Sequence, residues 1–211
     1  MKNVCIVDYS SGNIFSVTKA FEHFNCRVSL ASTPEQISSA DYLVLPGVGA
    51  FGDGMNTLRQ RGLIEPMLEF VDRGKPFLGI CLGMQLLLTS SEEFGAHQGL
   101  NLIPGQVRRL PAISGLKIPH VGWAQLQSPE GEAADCWHDS ILDGVTQDRD
   151  MYFVHSYAAY PDDSEHWLSR TSFGNHWFCS TARKDNVSAC QFHPEKSSSA
   201  GLSIVHNFLR Q

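Results

Sequence analysis

The sequence predicts a doubly wound α/β fold with a mixed, three-layer sheet, and three observations carry that prediction. Short runs such as Tyr42 to Leu45 and Pro76 to Ile80 are apolar throughout instead of alternating, which implies burial on both faces of a parallel sheet. In the first half these runs alternate with helical patterns, the signature of strand–helix–strand units. The second half turns strand-rich with little helix between, so antiparallel strands extend the sheet or form a second small one.

The elements follow in order. Val4 to Val7 is a β-branched run, and Gly12 to Phe24 follows with helical spacing of Ile14, Val17, Phe21 and Phe24. Arg27 to Leu30 reads as a second strand, and Tyr42 to Leu45 is a third, ended by Pro46-Gly47. Met55 to Asp72 is helical, with Pro66 splitting it or opening a second helix. Pro76 to Ile80 is a strand and Leu82 to Thr89 a helix. Val107 to Leu110, Gly122 to Leu126, Met151 to Tyr160, Trp167 to Phe173, Trp177 to Thr181 and Val187 to Phe192 are strand-like, Ser128 to Asp139 is a surface loop, and Ser198 to Leu209 is an amphipathic helix.

With 42% hydrophobic and 18% charged residues, the 211-residue chain can bury a sizeable core, and residues 1–211 are expected to form one domain. A net charge of −6 argues against a nucleic-acid surface. No signal-type segment opens the chain and no apolar run approaches the roughly 20 residues that span a bilayer. Six cysteines at irregular spacings, without a C-x-x-C pair, fit reduced thiols in the cytoplasm, and no ligand pattern for a metal appears among the nine histidines. No metal or cofactor is expected.

Phe77-Leu-Gly-Ile-Cys81-Leu-Gly-Met-Gln-Leu-Leu88 reads strand, tight turn, helix, with Gly79 and Gly83 flanking Cys81. This G-x-C-x-G pattern is that of a nucleophile elbow with cysteine in place of serine. The turn would present the sulfur at a strand's carboxyl end and at a helix N-terminus, where thiolate is favoured over thiol. The alternative is a buried structural cysteine, which is how Cys5, Cys26, Cys179 and Cys190 are read. Near the other end an apolar strand runs into His193-Pro-Glu195. Two positions apart on extended chain, His193 and Glu195 can face one site, with the carboxylate fixing the imidazole tautomer.

Gly47, Gly49 and Gly52 match a dinucleotide-binding spacing after a strand, with Glu69 and Asp72 about 20 residues on. Pro46 before the turn and its place on the third strand count against that reading. The same loop suits backbone N–H groups aimed at a developing oxyanion, with the Leu82 amide as second donor. Both readings remain open from the loop alone.

Taken together, the chain resembles the class I glutamine amidotransferases. The matching stretches are Asp8-Tyr-Ser-Ser-Gly-Asn13, Leu45-Pro-Gly-Val-Gly49, Gly79-Ile-Cys-Leu-Gly-Met-Gln85, Ser91-Glu-Glu93, Ile118-Pro-His-Val-Gly-Trp123, Tyr152-Phe-Val-His-Ser-Tyr157 and Gln191-Phe-His-Pro-Glu-Lys196. They are most similar to the branch that serves histidine synthesis. The resemblance implies a flavodoxin-like core and a Cys81, His193, Glu195 triad that hydrolyses L-glutamine through a thioester. It implies an oxyanion hole at the amides of Val48 and Leu82. It further implies substrate contacts from Gly49, Gln85, Glu93, Ser156 and Tyr157, with Glu93 on the same side of the elbow helix. A separate (β/α)8-barrel cyclase subunit would receive the ammonia as partner in a heterodimer, with Asn13, Trp123 and Lys196 at the interface. Close relatives of this branch deliver ammonia to a sugar-modifying partner in surface-glycan synthesis, which is the alternative pathway. Ala124, Ser10-Ser11 and Asn101 depart from the usual pattern of the branch.

Overall fold

A computed structural model describes residues 1–9, 12–130, 136–147 and 149–211. Strands β1 (Asn3–Val7), β2 (Arg27–Ala31), β3 (Tyr42–Leu45) and β4 (Phe77–Ile80) alternate with helices α1 (Ile14–Glu22), α2 (Pro34–Ser38), α3 (Phe51–Gln60) and α4 (Ile64–Asp72). Then come α5 (Leu82–Leu86), the two-residue strands β5 (Ser90–Ser91) and β6 (His97–Gln98), and β7 (Gly105–Arg109), β8 (His120–Gln125) and β9 (Asp150–His155). The chain closes with β10 (Tyr157–Pro161), β11 (Trp167–Phe173), β12 (His176–Lys184), β13 (Val187–Cys190) and α6 (Ser198–Phe208).

Among the described residues the main sheet runs β2-β1-β3-β4-β13-β12-β10-β7-β5-β6, with β11 paired to β12. Its first five members are parallel and follow the flavodoxin-like order, the fifth being supplied from near the end of the sequence. β13 pairs parallel with β4, Cys190 beside Ile80, so the segment that runs on to His193 emerges next to Cys81. Every residue of β3, β4 and β13 is buried, as strands covered on both faces require. Ile37, Leu58, Met67 and Phe70 from α2 to α4 cover one face, while Val17, Phe21, Ile204 and Phe208 from α1 and α6 cover the other.

Three predicted elements are redrawn. The Met55 to Asp72 helix breaks at Gly62, whose φ of +65° favours glycine, and Pro66 sits in the first turn of α4, where a missing N–H costs little. The helix after Cys81 stops at Leu86 because the carbonyls of Leu86, Leu87 and Leu88 accept from Leu100, Leu102 and Asn101 on the returning chain. The Met151 to Tyr160 strand divides at Ser156: β9 pairs with β8 in a separate two-stranded sheet, while β10 joins β7 in the main one. Both arrangements expected of the second half therefore occur. Residues 131–135 of the expected Ser128 to Asp139 loop lie outside the described residues, as do Ser10, Ser11 and Asp148.

Candidate active site

β4 delivers Cys81 at φ 55° and ψ −110°, a backbone conformation that non-glycine residues rarely hold unless the surroundings enforce it. The enforcement is steric. A β-carbon on Gly83 would sit inside the Leu45 carbonyl oxygen, and one on Gly79 would come within 2.8 Å of Leu87. Bare glycines on either side let α5 lie directly against β3 and β4. The Cys81 N–H donates to the Cys190 carbonyl at 2.8 Å, tying the elbow to β13. Cys81 is 6% exposed, and its sulfur lies 3.9 Å from the Val154 carbonyl oxygen and 3.8 Å from Gln191 Nε2. α5 spans five residues, shorter than expected, so its dipole can contribute only a modest part of any thiolate stabilisation.

His193 follows β13 in extended conformation, and Pro194 opens a short helical turn, Pro194–Lys196, that carries Glu195. The strand ends at Cys190, earlier than the sequence suggested, yet the pairing expected from the spacing is present: His193 Nδ1 lies 2.9 Å from Glu195 Oε1. Their side chains are 3% and 1% exposed. Burial opposes a charged imidazole here, but Cys81 and Glu195 outweigh it and push the His193 pKa up to about 10. With Nδ1–H donated to Glu195, Nε2 is left facing Cys81. The backbone is clamped as well. His193 N–H donates to Tyr152 O at 2.9 Å, Ser197 Oγ–H donates to His193 O at 2.7 Å, and Tyr152 N–H donates to Ser197 Oγ at 3.0 Å.

Cys81 opens onto a cavity of about 260 Å³. Val48, Gly49, Leu82, Gln85, Glu93, Ser156 and Tyr157, all singled out from the sequence, line it together with Pro119, Val154 and His155. Gln85 Nε2 donates to Tyr157 O at 2.8 Å and to Gln191 Oε1 at 3.1 Å, so only its oxygen remains to meet a ligand, as an acceptor. Glu93 is not on the elbow helix. Because α5 stops early, the chain turns through β5 and returns Glu93 to the cavity, where Oε2 accepts the Phe51 N–H at the start of α3 at 2.7 Å. Burial raises its pKa, and the Phe51 bond offsets that in part. The Leu82 N–H makes a long 3.4 Å bond to Gly47 O. Gly47 itself has no room for a side chain against the Tyr9 hydroxyl and Leu82, and a β-carbon on Gly52 would press on the His97 ring, so packing accounts for two of the three glycines of the dinucleotide-like spacing.

Sequence reasoning assigned no role to His155 or Gln191. Both lay within stretches already singled out, but no spacing rule signals which amide or imidazole will reach the sulfur's surroundings. His155 is buried at the cavity wall, and that burial depresses its pKa to about 3, so it is neutral.

Of the expected interface residues, Trp123 is 53% exposed on β8 with its ring 5.7 Å from that of Tyr152. Lys196 Nζ stands 5.8 Å over the same Tyr152 ring, which is 6.4 Å from His193. Asn13 is at the start of α1, where its side chain accepts the Ser16 N–H at 3.4 Å, and α1 packs on the Pro194–Lys196 turn. Among the described residues no three His, Cys, Asp or Glu side chains cluster to hold a metal, and no helix is long and apolar enough to cross a membrane.

A cysteine elbow beside a buried His–Glu pair, with the cysteine opening onto a small cavity at the carboxyl ends of parallel strands, agrees with what the chain matches. Residues 5–211 match the family Glutamine amidotransferase class-I, and the chain belongs to that family. Solved structures share the fold at low identity. "Structure of PurLQS from Thermotoga maritima" superposes with a TM-score of 0.75 at 17% identity, covering 99% of this chain and 98% of that one. "Crystal structure of glutamine amidotransferase" gives 0.73 at 16% identity, covering 98% and 97%.

Within the class, the chain falls among the HisH subunits of imidazole glycerol phosphate synthase. The subunit HisH 1 of Legionella pneumophila (strain Paris) is 48% identical over 100% of both chains, and the HisH of Geobacter sulfurreducens is 46% identical over 99% and 98%. The chloroplastic hisHF synthase of Arabidopsis thaliana is 44% identical over 98% of this chain but only 34% of its own length.

Proposed function

We propose that this chain is the glutaminase subunit of an imidazole glycerol phosphate synthase, hydrolysing L-glutamine and passing ammonia to a (β/α)8-barrel cyclase partner in histidine biosynthesis. The observation that carries the chemistry is the placement of the buried His193–Glu195 pair beside Cys81, from neighbouring parallel strands, with Cys81 itself opening onto a cavity. The Cys81 thiolate attacks the side-chain amide carbon of glutamine, and the oxyanion rests on the amides of Val48 and Leu82. Protonated His193 gives its proton to the departing nitrogen, the C–N bond breaks, and ammonia leaves a glutamyl thioester. Neutral His193 then takes a proton from water, whose oxygen displaces the sulfur and releases glutamate. Glu195 holds the Nδ1–H tautomer and favours the imidazolium throughout.

Gln85 Oε1 and the Glu93 carboxylate suit the α-ammonium of the substrate, and the Gly49, Ser156 and Tyr157 backbones the rest of its head group. The Leu82 N–H must loosen its long bond to Gly47 O to serve the oxyanion, which suits a site held back until its partner docks. Trp123 and Lys196 each pack on the Tyr152 ring, which neighbours His193, and with Asn13 they form the face on which the cyclase sits to make the heterodimer. The longer plant relative, named hisHF, leaves about two-thirds of its length unmatched, room for a fused partner. Six free thiols suit the cytoplasm. Full-length relatives named imidazole glycerol phosphate synthase subunit HisH favour histidine synthesis above surface-glycan synthesis.

The test uses the complex reconstituted with the cyclase. Cys81→Ser abolishes synthesis from glutamine and leaves synthesis from added ammonium salts intact. Loss of both activities would overturn the division of labour.

A further inference from the structure

Between the cavity wall and the sulfur lies a chain of side-chain amides whose orientations are all determined by one backbone carbonyl. Tyr157 O can only accept, so the Gln85 atom 2.8 Å from it is Nε2, a donor. The second N–H of that Nε2 reaches Gln191 at 3.1 Å, and only an acceptor can stand there, so the Gln191 atom is Oε1. The other end of the Gln191 amide is then its NH2 group, and it is this group that lies 3.8 Å from Cys81 Sγ. Gln191 is fully buried and its backbone N–H donates to Ser180 O at 2.9 Å, so its main chain is anchored to β12. It cannot turn its carbonyl oxygen to the sulfur without placing two NH2 groups face to face at Gln85.

The same carbonyl orders the other side. The His155 ring nitrogen Nδ1 lies 2.9 Å from Tyr157 O and must carry the proton, so its Nε2 is an acceptor for His120 Nδ1–H at 3.3 Å. Two donors therefore converge on Tyr157 O, from Gln85 and from His155, and hold the acceptor that sets the amide orientations.

We propose that Gln191 is a hydrogen-bond donor to the Cys81 thiolate, oriented for that task by Gln85 and Tyr157 O. This rests on Cys81 being the nucleophile. A neutral donor aimed at a sulfur favours its anion over its thiol, and the preference is larger where water is scarce. It fits a residue whose adjoining helix is too short to stabilise the anion alone. The bond is strongest to the free thiolate and weakens when the sulfur is acylated. Gln191 therefore favours the attacking species before acylation and the departing sulfur when water displaces it. It touches the reacting atom yet does not line the glutamine cavity, so it should govern turnover and not affinity.

The test measures the rate at which iodoacetamide alkylates Cys81 in the full chain between pH 5 and pH 10, resolved from the other five thiols by peptide mass spectrometry. Gln191→Met, which keeps length and loses the donor, is expected to move the midpoint of that profile upward by about one pH unit. In the complex, glutamine kcat falls about tenfold with KM unchanged. Gln191→Leu, which also lacks the donor and adds no charge, moves the midpoint the same way and decides the matter if the methionine variant does not fold. Midpoints in both folded variants equal to that of the parent would overturn the proposal. A parent Cys81 that resists alkylation at every pH, while other thiols react, would instead overturn the nucleophile assignment and this inference with it.

Discussion

Cys81 and His193 lie beyond the carboxyl ends of neighbouring strands, but the two regions hold their geometry by different means. The elbow after β4 depends on space: a strained φ of 55° survives because Gly79 and Gly83 let α5 close against β3 and β4. The His193-Pro-Glu195 turn depends on polar pairing: the Nδ1 to Oε1 bond, the Tyr152 carbonyl and the Ser197 hydroxyl fix it in a nearly dry setting. The first region should fail when volume is added and ignore pH. The second should tolerate isosteric change in shape and respond to charge.

The largest expected effect tests the steric side. Gly83→Ala drives a β-carbon into the Leu45 carbonyl of a central strand, with no flexible side chain to yield, and should cost about 3 kcal/mol, read as a lowered urea midpoint. A midpoint equal to the parent's would remove sterics as the reason for the elbow. Next comes Glu195→Gln, which keeps the shape but loses the charge. It should lower glutamine turnover about 10³-fold in a chain that still folds at neutral pH, having lost only the part of its stability that the His193–Glu195 charge pairing supplies. A loss of fold in place of activity would make the pair structural and erase the contrast.

The third effect is in the pH dependence of stability. The His193 pKa is raised from 6.5 in the unfolded chain to about 10 in the fold, so its contribution is fully present below about pH 6.5 and is lost as pH climbs toward 10. Parent stability should decline across that window by urea titration, and Glu195→Gln should flatten the decline. An unchanged slope in the variant would show that Glu195 does not set the proton affinity of His193.

The same contrast explains what was legible in the sequence. The elbow was readable because its requirement is local: glycines at fixed offsets from Cys81, between an apolar strand and a helix. The His193–Glu195 pairing was readable from two-residue spacing, although the strand proved shorter and a helical turn carries Glu195. That β13 would lie beside β4 was not in any local pattern, since pairing between distant segments is decided by packing over the whole sheet. The division at Ser156 was hidden inside one strand-like run, because the chain is extended on both sides of it and only the pairing partners differ. Glu93 was misplaced on a helix because the carbonyls that end α5 are satisfied by residues 100–102, a tertiary event. α2, opened by Pro34, and the two-residue strands β5 and β6 are too short for periodicity to register. Gln191 carried no signal, since an amide's orientation follows from its neighbours' hydrogen bonds and not from spacing.

The central claim is that Cys81 forms the bond to glutamine. A glutamine-analogue electrophile, supplied to the complex with its cyclase and followed by peptide mass mapping, tests it most directly. The account predicts one adduct per chain, on Cys81, with glutamine-dependent synthesis lost in step and ammonium-dependent synthesis retained. Inactivation with the adduct on another residue, or full inactivation with Cys81 unmodified, would contradict it.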